Sequence, residues 1–171
     1  WFRIGNRPNE GYAEMSVCLF LPDGKAGFMY ARPGITGNDK HEAGGLKFTV
    51  DEPFKRFTQS YEGDVLILDN PRDMIDPKAA FLNNPKEACS INLKYTGLSP
   101  LHGGEPTSPD QQTMYGRNFS TGHFNQHTAG QGEITIGGTT YNVNGFGWRD
   151  HSWGPRYWQN IWWYRLLIAS F

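Results

Sequence analysis

Cysteine, charge of one sign and long apolar runs are all scarce in this 171-residue sequence, and each scarcity removes a class of protein. The 2 cysteines, Cys18 and Cys89, stand far apart in strand-like runs. That suits neither a zinc spacing nor a disulfide framework, and leaves buried free thiols as the expected state. Lys and Arg number 16 against 17 Asp and Glu, for a net charge of -1, and are scattered singly, so no basic field exists to attract nucleic acid. No apolar run approaches the roughly 20 residues that span a bilayer, so no transmembrane segment is expected. A secretory signal is also missing, which favours a cytoplasmic location, with a membrane-peripheral one as the alternative. The chain opens on Trp1 within a strand-like run and ends on Phe171 without a terminating turn, so it is expected to be a fragment.

Aromatic residues, by contrast, reach 15%, and there are 21 glycines, a pairing that suits pleated strands and tight turns rather than helices. Pro22-Asp23-Gly24 bends one hairpin, between a strand running to Leu21 and a second from Ala26 to Ala31. Leu46-Lys47-Phe48-Thr49-Val50 and Phe57-Thr58-Gln59-Ser60-Tyr61 alternate as strands do, and Glu62-Gly63-Asp64 reads as a turn before the short apolar run Val65-Leu66-Ile67-Leu68. Asp76-Pro77 offers an N-cap and a first-turn proline for one short helix reaching Leu82. Ser90 to Tyr95 alternates again, and residues 99–109 gather Pro, Gly and Ser into what reads as a mobile loop or lid. Gly137-Gly138 joins Glu133-Ile134-Thr135-Ile136 to Thr139-Thr140-Tyr141-Asn142-Val143 in the clearest hairpin of the chain. The fold class is all-β, an antiparallel barrel or strongly curved sandwich with one short helix.

Functional chemistry is densest just after that hairpin, in Gly145-Phe146-Gly147-Trp148-Arg149-Asp150-His151-Ser152-Trp153-Gly154-Pro155-Arg156. If the stretch is extended, Trp148, Asp150 and Ser152 share one face and Arg149, His151 and Trp153 the other. A carboxyl pressed against indole in an apolar cavity has its charged form disfavoured and can act as a general acid, which makes Asp150 the candidate proton donor. The bland reading has equal weight: Arg149 and Asp150 as a buried ion pair, His151 donating to a backbone carbonyl, and Trp153 plugging a barrel end.

The run Asp150-His151, Trp153-Gly154 resembles the signature of carotenoid 1,2-hydratases and related lipocalin-like proteins, the AttH-like proteins among them. It departs from the hydratase pattern at Arg149, where that pattern has His, and at Ser152, where it has Asn. The resemblance extends loosely over most of the chain through strand spacing. It implies a lipocalin-like domain over residues 1–156, the first of two, with residues 157–171 as a last strand or link toward the second domain. It also implies a large, unsaturated, hydrophobic ligand, such as an isoprenoid, a steroid-like molecule or a polyketide, and hydration, isomerisation or cyclisation driven by acid. In that reading Asp150 and His151 are catalytic and Trp148, Arg149, Trp153, Arg156 and His123 line the ligand site, with no cofactor and no metal. Two readings stand against it: a non-catalytic carrier of the same ligand, and a carbohydrate-binding β-sandwich.

His123, Asn125 and His127 alternate onto one face, but in a strand the two histidines stand about 13 Å apart, too far to share one ion. A solvated face is expected for His127, and exposed loop positions for His41 and His102. Trp158, Trp162, Trp163 and Tyr164 suit core or interdomain packing better than a cavity wall. Asn118-Phe119-Ser120 fits a glycosylation acceptor that, without a secretion signal, is read as accidental.

Overall fold

The computed structural model describes residues 1–108 and 120–157. Within them the chain forms ten strands, all paired antiparallel, one α-helix and one turn of 3-10 helix. The strands are β1 (Phe2–Arg7), β2 (Tyr12–Phe20), β3 (Ala26–Ala31), β4 (Glu42–Ala43), β5 (Leu46–Glu52), β6 (Arg56–Leu68), β7 (Lys86–Gly97), β8 (His102–Gly104), β9 (Gly122–Ile136) and β10 (Thr139–Trp153). The main sheet runs β1-β2-β3-β6-β7-β9-β10, with β4 and β5 added beside β6 and β8 beside β9. It curls into a half-barrel. Both expected hairpins are present, and at the β9–β10 turn Gly137 and Gly138 take φ of 53° and 84°, the double positive φ that a two-residue turn of this hand requires.

Three sequence expectations change. Glu62-Gly63-Asp64 is not a turn: β6 runs straight through it, with Gly63 opposite Cys89 on β7. Gly63 is there because Tyr61 folds back over it, to donate its hydroxyl to the Asp64 carbonyl at 2.7 Å. Part of the loop expected over residues 99–109 is strand β8, paired to β9 through His102 opposite Asn125. The hairpin arms also run much further than their apolar residues suggest, so Gly145 to Trp153 is the far half of β10.

Period-two alternation decides what each strand buries. Ala13, Met15, Val17 and Leu19 of β2, Tyr61 and Val65 of β6, and Ile91 and Leu93 of β7 form the core on the inner face, joined from the last hairpin by Ile134, Ile136, Tyr141 and Val143. At one corner the outer face is covered too. Leu66 and Leu68 of β6 pack with Ala26 and Phe28 under the helix α1 (Pro77–Asn83), which supplies Ala80 and Phe81. The Asp76 side chain caps that helix, accepting from the Ala79 N–H at 3.1 Å. Each of the two buried leucines contributes about 2 kcal/mol. Among the described residues no helix is long and apolar enough to cross a membrane.

Candidate functional site

The β9–β10 ladder fixes which way each candidate side chain points. Trp148 lies opposite His127, Arg149 opposite Gln126, Asp150 opposite Asn125, His151 opposite Phe124, Ser152 opposite His123 and Trp153 opposite Gly122. Tyr141 and Val143 pack on the inner core, so Arg149, His151 and Trp153, which share their parity, also face inward. Trp148, Asp150 and Ser152 face outward.

On the inner face a packed cluster of aromatic and basic side chains continues the core. Phe124 is buried, and its ring centroid lies 5.3 Å from that of His151, 6.0 Å from Phe54 and 6.3 Å from Trp153. The Arg149 guanidinium carbon sits 5.2 Å from the centroids of both Phe57 and Phe124, and Phe57 stacks in turn on Tyr95 at 4.6 Å. His41, from the segment between β3 and β4, closes against His151 at 5.7 Å. Gln126 ties the rim together, its Nε2 donating to the carbonyls of Phe54 at 2.8 Å and Ser99 at 3.0 Å. Burial pulls the His151 pKa below the usual imidazole value; the neighbouring His41 and Arg149 act in the same direction and Asp150 opposes them, so the ring is neutral near pH 7.

On the outer face the pairings are different. Asp150 Oδ2 meets His123 Nε2 at 2.8 Å, with the two side chains 52% and 34% exposed. Trp148 donates its indole N–H to Asn125 Oδ1 at 2.8 Å, and its ring meets His127 edge-on at 4.5 Å. The dry, ring-lined surroundings expected for Asp150 are therefore not what the fold provides, because its parity in β10 turns the carboxylate outward. Asp150 is separated from His151 by the sheet, and the Arg149–Asp150 ion pair of the bland reading is excluded on the same ground. His123 and Trp148, expected in the cavity, are also on the outer face. Arg156 follows β10, donating to the Pro155 carbonyl at 2.8 Å, and lies within electrostatic range of Asp150, Arg3 and Arg7.

Trp153 spans the end of the ladder, with its indole N–H donating to Glu105 Oε1 at 2.8 Å. Beside it an open depression of about 320 Å³ is bordered by Gly103, Gly104, Glu105, Thr121, Gly122 and His123. Among the described residues no three His, Cys, Asp or Glu side chains converge as a metal site would need. The expectations for Trp158, Trp162, Trp163, Tyr164, Asn118 and Phe119 fall outside the described residues.

Reading the sequence alone missed Phe54, Phe57, Gln126 and His41. Phe57 carried a usable signal, since it shares its alternation with Gln59 and Tyr61. His41 carried none, because a loop histidine reads as solvated until the fold lays it on His151; it is exposed as expected, yet one ring edge is engaged.

Fold and site together define an all-β protein whose antiparallel sheet curls into a half-barrel with a cluster of aromatic and basic side chains on its inner face. Residues 1–171 match the family described as Domain of unknown function (DUF7064), and the chain belongs to that family. No curated protein and no solved structure matches it significantly. The curled antiparallel sheet is compatible with a lipocalin-like fold, and the family match names neither carotenoid hydratases nor AttH-like proteins.

Proposed function

We propose that this protein binds a hydrophobic, unsaturated small molecule against the inner face of its β9–β10 ladder. The observation that carries this reading is the ring cluster centred on Phe124, which touches His151 and Trp153 and shares with Phe57 the Arg149 guanidinium, on the face that, further along β9 and β10, forms the core. Ring faces with a few fixed polar groups are the usual lining of small-molecule sites. Isoprenoid, steroid-like and polyketide ligands all offer the flat, unsaturated surface that such rings accept.

The geometry favours binding over acid catalysis. A proton donor for an alkene must reach the ligand, and the Asp150 carboxylate points away from the inner-face cluster while pairing with His123. The inner-face imidazole of His151 is held neutral, as suits a hydrogen-bonding group rather than an acid. The protein in this reading is a carrier or presenter.

Titration with retinol, a neutral polyene, followed by tryptophan quenching tests this. Saturable quenching at micromolar concentrations is expected, weakened by Phe54→Asp, which places a charge on the rim at an exposed position that folding tolerates. A response to oligosaccharides with none to retinol would remove this reading in favour of the carbohydrate-binding one.

A further inference from the structure

Among the described residues, the inner-face ring cluster holds a cation with no carboxylate partner. Arg3, Arg7 and Arg32 each reach the Glu14 carboxylate, and Arg56 reaches Glu52. Arg149 instead has two phenyl faces, and no carboxylate within ion-pair distance among the described residues. Its sequence neighbour Asp150 points to the opposite face, and Glu105, further along the strand end, is engaged by the Trp153 indole. A half-buried guanidinium left unpaired costs stability, and ring faces return only part of what water or a carboxylate would supply.

Resting on the binding reading above, we propose that the ligand is an organic carboxylate and that Arg149 is the anchor for its head group, with the hydrophobic body lying along Phe57, Phe124 and Trp153. The planar fork of a guanidinium matches a carboxylate in two parallel hydrogen bonds. The charge count points to a single negative charge rather than a dianionic phosphate. Among the described residues one permanent cation joins the inner-face ring cluster, and His151, in the same cluster, is a neutral donor or acceptor. Neither phenyl ring can donate a hydrogen bond in the plane of the fork, so its outward N–H groups are left to the ligand.

The test compares cis-parinaric acid, a fluorescent polyene carboxylate, with its methyl ester, which differs only in lacking the charge. The full chain, Arg149→Met and Arg149→Lys are each titrated near neutral pH after a cooperative melt has been recorded. Wild type is expected to prefer the acid by about tenfold or more, the usual worth of a hydrogen bond to a charged group. Arg149→Met brings the acid down to the affinity of the ester and leaves the ester unchanged, while Arg149→Lys keeps part of the preference. Equal binding of acid and ester by wild type overturns the anchor even if neither variant folds, and leaves the hydrophobic-ligand reading standing. So does a preference that survives Arg149→Met. If neither compound binds, both proposals fall.

Discussion

Replacing Glu14 by Gln should cost this fold about 3 kcal/mol. Glu14 lies on the outer face of β2 with its side chain only 12% exposed, surrounded by two guanidiniums from β1 and that of Arg32 just past β3. Its Oε2 accepts from Arg3 at 3.2 Å and Arg7 at 3.4 Å, and its Oε1 from Arg32 at 3.3 Å and the Tyr30 hydroxyl at 3.5 Å. Arg3 can reach it because Gly5 has no side chain where that guanidinium folds back over the strand. Glu14→Gln keeps the shape and removes the charge, leaving three cations crowded on a neutral amide. Breaking a buried pair costs about 3 to 5 kcal/mol. Here the bonds are long for charged partners, and Arg3, Arg7 and Arg32 are 34%, 22% and 59% exposed, so water takes up part of the loss and the lower end applies.

Urea denaturation of wild type and Glu14→Gln measures this directly, with an unchanged slope and a lowered midpoint expected. For a domain of this size the melting temperature should fall by about 6 to 12 °C. Burial alone would push the Glu14 carboxyl up, but Arg7, Arg3 and Arg32 outweigh it and hold the pKa below the ordinary value of 4.5. Its contribution is therefore complete above that value and is lost as pH falls through the lower folded one. The wild-type and variant stability curves must converge in that acid range. A difference below about 1 kcal/mol at neutral pH, or one that persists unchanged into acid, would refute the account, because a carboxylate that matters electrostatically has to show both signs.

Three further outcomes follow from the same geometry. Gly132 on β9 has φ of 148°, and a Cβ there would fall on the Asn92 carbonyl oxygen, so Gly132→Ala should destabilise by about 2 to 4 kcal/mol in thermal melts while Gly145→Ala, which meets nothing, stays within about 0.5 kcal/mol. His151 should titrate by NMR with a midpoint below 6.5, and the stability from its neutral ring, present above 6.5, should be lost as pH falls toward that midpoint; a midpoint at or above 6.5 contradicts the packed site described. Burial pushes the Cys89 thiol up to about 11 and raises Cys18 as well, so a thiol reagent at mildly alkaline pH should react slowly with the native chain and fast in denaturant, whereas quick native labelling of both would deny that these thiols are packed.

Much of this fold could be read from alternation, yet the decisive fact about the site was missed for a reason that is itself physical. Trp148, Asp150 and Ser152 do share one face, as a period of two requires. Which face that is depends on the apolar arm before it. Tyr141 and Val143 point inward, and counting on in twos through Gly145 and Gly147 reaches Arg149, His151 and Trp153. The two glycines have no side chain to mark the inner face, so the periodic signal fades for four residues just where it must be carried into the polar segment. Pressed chemistry then misleads, because an acid between tryptophans reads as enclosed. Gly63 shows the same failure in β6, where a glycine between Glu62 and Asp64 has the composition of a turn and the role of making room for Tyr61. The Glu14 cluster was illegible for another reason. Arg3 and Arg7 sit on β1 and Arg32 just past β3, and only the register that sets Gly5 opposite Glu14 and Tyr30 opposite Ser16 brings them to one carboxylate on β2. Local pattern decides what a strand is and which residues share a side, but the inner side of a mostly polar, glycine-broken strand is settled only by neighbours several strands away.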